Sequence, residues 1–275
     1  MARVSIKKLK AFSHFERCVE IQRAVWKHPD IDLTPTHQFC IAKEMGAILL
    51  GAFVDGDLAG FVYSFPAVKD GKAHLHSHLL AVLSEFQGLG LGKKLKWAQR
   101  EEALKAGYRS ITWTFDPLQA KNANLNLQAL GAYSRTYLPN FYGLTPALCL
   151  GPGIPTDRLL IEWPIRDRRV AALAAGESGR GRADLDAEGL PKALERTSAP
   201  EETDAYPAPG PPKFGLRDSA LLVEVPKDIR ALKGRPDLIA SWQKGLRRAM
   251  TRYFASGYRA RFFLFDDRCF YALLK

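Results

Sequence analysis

Apolar and polar residues alternate through "RVSIKKL" (3–9), the period of a strand. The period then changes: Phe12, Phe15, Val19 and Arg23 mark an imperfect stripe that predicts a helix over Phe12–Trp26, and a second helix is expected over 34–45. Two apolar runs, "AILLGAFV" (47–54) and "LAGFVYSF" (58–65), flank "DGD", a hairpin signal because glycine supplies the positive φ of such turns. "AHLHSHLLAV" (73–82) reads as a third strand, 91–106 as a helix closed by Gly107, "YRSITWTF" (108–115) as a strand, and 119–130 as a helix. The strand "RLLIEWPI" (158–165) ends this block. Strand and helix in alternation imply a partly parallel sheet, an α/β (α+β) architecture with a mixed central sheet flanked by helices.

Residues 168–216 differ in kind, rich in Ala, Gly, Pro, Arg and Glu, with "GESGRGRAD" and "YPAPGPPKFG" near the two ends. They read as a linker or surface excursion holding a short helix over 186–196. Beyond it, "ALLVEV" (220–225) is a strand. Ile239, Trp242, Leu246, Ala249 and Tyr253 form a clean helical stripe, and "YRARFFLF" and "RCFYALL" are two more strands. The expected organisation is therefore a first domain at 1–167, the linker, and a β-α-β-β unit at 217–275 packed on the first. "AGYRSITWTFD" (106–116) returns as "SGYRARFFLFD" (256–266), displaced by 150 positions, either by chance or as a degenerate repeat.

Composition changes this picture little. Hydrophobic residues make up 47% and charged residues 25% of 275, an ordinary globular balance. No run approaches the roughly 18 apolar residues of a spanning helix, and "MARVSIKKLKAF" lacks an apolar signal core, so no membrane partner is implied and a cytoplasmic location is expected. Cys18, Cys40, Cys149 and Cys269 stand far apart with no C-x-x-C pair, which points to neither zinc nor disulfides but to small buried hydrophobes. The net charge of +11 favours anionic partners without choosing among nucleic acid, acidic surfaces and phosphorylated cofactors.

The candidate chemistry begins at "SEFQGLGLGKKL" (84–95), where a strand runs through glycines into a helix. Unpaired N–H groups at a helix start make an anion site, and glycine lets the backbone approach an oxygen closely. The spacing fits neither the dinucleotide fingerprint nor G-x-x-x-x-G-K-[ST], because Gly92 and Lys93 are followed by Lys94.

It does match [QR]-x-x-G-x-[GA], as Gln87, Gly90 and Gly92, with Val82 five positions before the Gln and Ser84 where Pro is usual. In this the chain resembles the GNAT N-acetyltransferase superfamily over roughly 3–165. The resemblance implies acetyl-CoA, or another acyl-CoA, as co-substrate. Its pyrophosphate would lie on the N–H groups of Gly88, Leu89, Gly90, Leu91, Gly92 and Lys93, and its pantetheine on the strand edge at Leu80, Ala81 and Val82. Lys93 and Lys94 either add charge near the phosphates or lie on a solvated helix face. Asn122 and Asn124 open the next helix, where an amide caps or contacts the cofactor.

His74, His76 and His78 recur every second residue and share one strand face. Three readings stand: a metal site needing further ligands from elsewhere, structural histidines at a half-buried face, and proton transfer. The strand is similar to that of arylalkylamine N-acetyltransferases, whose His-x-His corresponds to His76 and His78 and which implies water-mediated deprotonation of the amine. One departure is plain: where the family places a Tyr to protonate the leaving thiolate, this chain has Leu127. Tyr133, Tyr137 and Tyr142 lie just beyond, as acids or as aromatic packing. Asp116 could bind the cationic amine or cap the next helix. Trp113, Tyr137, Phe141 and Tyr142 hint at an aromatic pocket, although aromatics are also core.

The expected function is thus acyl-CoA-dependent N-acyltransfer to a small primary amine by direct attack, with catalytic candidates His76, His78, Asp116 and Tyr137 and no metal. Two rivals remain: a protein that binds acyl-CoA without turnover, and a nucleic-acid-associated protein using Arg247, Arg248, Arg252, Arg259 and Arg261.

Overall fold

A computed structural model describes residues 2–144, 150, 153–177, 185, 188–197, 206–232 and 234–275. Cys149, most of "GESGRGRAD" and the start of the helix expected over 186–196 lie outside the described residues. In chain order the elements are β1 (Val4–Lys8), α1 (Phe12–Trp26), α2 (Thr36–Glu44), β2 (Ile48–Val54), β3 (Asp57–Lys69), β4 (Lys72–Val82), α3 (Leu91–Lys105) and β5 (Ile111–Phe115). There follow α4 (Ala120–Ala123), continued by a π-helical turn over Asn124–Ala129, then β6 (Tyr133–Leu138), β7 (Arg158–Trp163), α5 (Arg168–Ala174) and β8 (Lys192–Leu194). The chain closes with β9 (Ala220–Val225), α6 (Pro236–Ala255), β10 (Arg259–Phe265) and β11 (Cys269–Leu274). No helix among the described residues is long and apolar enough to cross a membrane.

Two compact units account for these elements. The first comprises Met1–Trp113 and Pro164–Ala174. Its strands run in the order β1-β2-β3-β4 followed by the start of β5, antiparallel except for the parallel step from β4 to β5. The hairpin between β2 and β3 turns at Asp55 (φ 52°) and Gly56 (φ 105°), the positive angles its sequence requires. Helix α1 ends where Lys27 enters the left-handed region at φ 54° and its N–H bonds the carbonyl of Arg23. The buried stripe Phe15, Cys18, Ile21 packs with Phe39 of α2 against Phe61 and Tyr63 of β3. Burial also pushes the Cys18 thiol up to about 12, so it is an inert core group, as expected for the cysteines.

The second unit comprises Thr114–Trp163 and Ala175–Lys275, with strand order β7-β6-β10-β11-β9-β8. All its steps are antiparallel except β9 to β8. Strand β10 of the C-terminal block pairs with β6 at Ala260↔Ser134. Helix α6 buries the expected stripe Ile239, Trp242, Leu246, Ala249 and Tyr253, together with Leu238 and Met250. Where a helix was expected over 186–196, Lys192–Leu194 instead forms the edge strand β8 beside β9. Gly245 of α6 makes this possible, because a Cβ there would stand 3.2 Å from Leu194 Cδ1. The echo at 106–116 and 256–266 does not extend to strand order: β4 and β5 are direct parallel neighbours, whereas β11 lies between β9 and β10.

Candidate active site

The glycine stretch forms an open turn into the start of α3. After Val82 the chain makes a short turn, and Gly88 (φ 87°) and Gly90 (φ 69°) take left-handed angles that other residues adopt only under strain. Gly90 caps α3 without any side-chain hydrogen bond. The first N–H groups of this 15-residue helix therefore have no partner one turn back and face the turn. A Cβ on Gly88 or Gly90 would meet nothing within 4 Å, and one on Gly92 only Leu80 Cδ2 at 4.0 Å. The backbone is thus bare and approachable, which fits a phosphate group. Gln87, Leu89, Lys93 and Lys94 are exposed around it, while Leu91 anchors the helix in the core.

Strand β4 reaches this turn along a free edge. Its ladder with β5 is formed at Leu75↔Ile111 and His76↔Thr112, and β4 then runs on to Val82. On its other side it stays paired with β3 to the end, through Val62↔Leu80, Phe61↔Ala81 and Gly60↔Val82. The β3–β4 register slips by one residue between Tyr63↔Leu79 and Ser64↔Ser77, which leaves His78 as the extra residue of a bulge. The bulge keeps His76 and His78 on one face, with ring centroids 6.4 Å apart and both against Phe65, at 5.4 and 5.7 Å.

The two rings are not equivalent. His76 is half-buried, its Nδ1 3.0 Å from the Thr112 hydroxyl, and burial together with the neighbouring His78, His74 and Lys96 pushes it down to about 4. His78 is exposed on the bulge and is lowered by partial desolvation. His74 sits nearer the hairpin end, its Nδ1 3.3 Å from the Lys72 carbonyl. A cavity of about 390 Å³ opens beside this face, lined by Gln38, Ile41, Met45, Tyr63, Phe65 and Pro66.

A polar cluster behind β4 was not singled out from the sequence. Lys96 of α3 is 2% exposed, and its Nζ donates to Ser77 Oγ (3.1 Å) and Gln99 Oε1 (2.8 Å) while lying 3.6 Å from the Trp113 ring centroid. Burial pushes this amine well below the usual lysine range. Its signal was present: Lys96, Gln99 and Arg100 fall on the same helical stripe as Leu91, Leu95 and Ala103, polar residues at core positions.

Other expected site residues lie in the second unit and are engaged there. Asp116 does not cap α4, which has Gln119 at its N-cap and no side-chain cap; its Oδ1 accepts from the Leu118 N–H at 2.9 Å in the preceding turn, and desolvation raises it to about 6. Tyr137 is buried and donates its hydroxyl to Asp157 Oδ2 at 2.6 Å, which with burial drives its pKa well above the ordinary phenol value. Asp157, fully buried, is held by Arg247 through two bonds of 2.7 and 2.8 Å. Asn122 is exposed on α4, and Leu127, in place of the family's Tyr, is core. Of the four aromatics that hinted at a pocket, Trp113 and Tyr137 are buried core, whereas Phe141 and Tyr142 are half-exposed and pack on each other.

No curated protein matches the sequence. Solved structures do resemble it in fold. The ribosomal-protein-S18-alanine N-acetyltransferase of Escherichia coli is 18% identical with a TM-score of 0.48, over 59% of this chain and 94% of its own. A GNAT-family acetyltransferase of Streptococcus pneumoniae is 17% identical with a TM-score of 0.48, over 58% and 98%. One from Elizabethkingia anophelis with acetyl-CoA bound is 16% identical with a TM-score of 0.47, over 58% and 97%. The family model for GNAT acetyltransferases matches from the start of α1 to the start of β6, and with the glycine turn and the open β4 edge inside that match, residues 12–134 are a GNAT acetyltransferase domain.

Proposed function

We propose that this protein moves an acetyl group from acetyl-CoA to a primary amine by direct attack. One arrangement carries the reading: the bare glycine turn at the start of α3 follows directly on the part of β4 that has run past its ladder with β5. In this account the N–H groups of 88–93 hold the pyrophosphate, aided by the positive end of the helix dipole. The edge at Leu80, Ala81 and Val82 receives the pantetheine as a sheet receives an added strand. The cavity against Phe65 and Tyr63 takes the acceptor, which its apolar wall suits to an amine with an apolar or aromatic body.

An ammonium has no lone pair, so the acceptor must lose a proton at or before attack. The amine nitrogen then bonds the thioester carbonyl carbon, the C–S bond breaks, and the thiolate leaves. His78 suits the proton acceptor, through a water, because it is exposed on the bulge. His76, pushed down to about 4 and set beside Thr112, is the weaker base and serves to position its neighbour. Asp116 is engaged in the turn before α4 and Tyr137 with Asp157, and Leu127 has no proton to give, so solvent protonates the thiolate. The His76→Gln/His78→Gln variant tests the scheme. It should bind acetyl-CoA normally, lose about 10²-fold in turnover at pH 7, and recover partly at high pH where free amine accumulates. Undiminished turnover would remove the histidines from the mechanism.

A further inference from the structure

Two adjoining cavities in the second unit share the Phe214 ring and Arg252. The larger, about 620 Å³, is broad and open, walled by Pro139, Phe214, Thr251 and the stems of Arg247, Arg248 and Arg252. The smaller, about 280 Å³, is more polar and reaches Arg217, Tyr253 and Tyr258. No aspartate or glutamate lines either, and Lys275 also lines the smaller.

Several of the chain's arginines are held by carboxylates. Arg23, Arg135, Arg230, Arg235 and Arg268 each hold a carboxylate, and Arg247 is committed to Asp157. Arg217, Arg248 and Arg252 are exposed and form no ion pair among the described residues. Arg248 and Arg252 stand one turn apart on α6, with Lys244 one turn earlier, a run of like charge that opposes the helix carrying it. Arg248 lies 5.1 Å from the Phe214 ring centroid, so ring and guanidinium form one surface on which a planar group can stack. In the smaller cavity the hydroxyls of Tyr253 and Tyr258 are already donated to the carbonyls of Lys213 and Asp218, which leaves the guanidinium groups, with the Lys275 amine 5.8 Å from the Tyr258 ring centroid, as donors for an incoming anion.

We propose that these cavities bind a small organic anion, its aromatic body against Phe214 and its carboxylate or phosphate on Arg252 and Arg217. Every residue of the site belongs to the second unit, so the proposal does not depend on the acyl-transfer reading. Calorimetry with benzoate, phenyl phosphate and inorganic phosphate tests it, using the full chain carrying Gly92→Val so that the glycine turn does not compete for phosphate. One ring-bearing anion should bind saturably at one site per chain, and the tighter of the two identifies the head group. Arg252→Gln should weaken it about tenfold or more without altering the thermal midpoint. Phe214→Leu should weaken the ring-bearing probes and leave inorganic phosphate as it was. The proposal falls if no probe saturates, if binding is indifferent to Arg252→Gln, or if a single-stranded oligonucleotide binds more tightly than any of them with a salt dependence of several phosphate contacts.

Discussion

Replacing Gly92 by alanine should raise stability and lower cofactor affinity in one step. Gly92 is the second residue of α3 and has an ordinary helical backbone, and a methyl there would touch only Leu80 Cδ2 at 4.0 Å. Alanine is favoured over glycine in a helix by about 0.8–1.0 kcal/mol. The free protein should gain up to about that amount, a rise of about 2–4 °C in thermal midpoint for a domain of 150–250 residues. In the proposed account, the same methyl stands where a phosphate oxygen approaches the N–H groups of the turn. Losing one charge-assisted hydrogen bond costs about 1.5–3 kcal/mol, or roughly 10- to 150-fold in affinity for acetyl-CoA. Gly92→Val should weaken binding further while leaving the fold intact. Gly90 is a poorer probe, since φ 69° makes any side chain strained by about 1–2 kcal/mol whatever the ligand does. Calorimetry with acetyl-CoA and thermal scanning on the same preparations give both quantities. Affinity unchanged in both variants, with the stability gain present, would move the phosphates off this turn.

Three further outcomes follow from buried charge. His76 is pushed down to about 4 from 6.5, so both states are neutral above pH 6.5, and below it the unfolded chain takes the proton first. Stability should fall between pH 6.5 and 4 by at most about 3 kcal/mol from this group, and His76→Gln should flatten that limb in urea melts; an unchanged limb would contradict the burial argument. Asp157→Asn removes the carboxylate that holds both Arg247 and Tyr137, and should cost about 3–5 kcal/mol in urea unfolding, whereas a loss under about 0.5 would show the cluster to be dispensable. Burial lowers the Lys96 amine, so the folded chain takes up its proton less readily than the unfolded one, and its stability contribution is full only above pH 10.5 and is lost as pH falls. Lys96→Met should therefore raise the thermal midpoint at pH 7 by an amount that shrinks toward pH 10, and a constant difference would refute this.

Local signals in the sequence were faithful where the physics is local. The stripe Phe12, Phe15, Val19 predicted α1, "DGD" predicted a turn with positive φ, and the glycines after Val82 predicted an open helix start. What escaped depends on distant partners. The bulge at His78 arises from a slip against Ser64 and Tyr63 that no pattern within β4 records. "KALE" reads as helix until β9 pairs with it and Gly245 makes room for Leu194, so tertiary pairing overrode propensity over 192–194. Tyr137 was weighed as an acid because its partner Asp157 lies 20 residues further along the chain, and Arg247, which holds Asp157, another 90 beyond that. Lys96 was legible in principle, since a lysine on an apolar stripe is either an error of periodicity or a buried amine.

Release of free thiol from acetyl-CoA, followed against a panel of amines, aminoglycosides, amino acids and peptide N-termini, tests the central claim most directly. At least one acceptor with an apolar body should drive thiol release in step with acylated product, and Gly92→Val should abolish the signal. Tight binding of acetyl-CoA with no thiol released above the rate without enzyme, for any acceptor at any pH between 6 and 9, would make this a protein that holds acyl-CoA without turning it over.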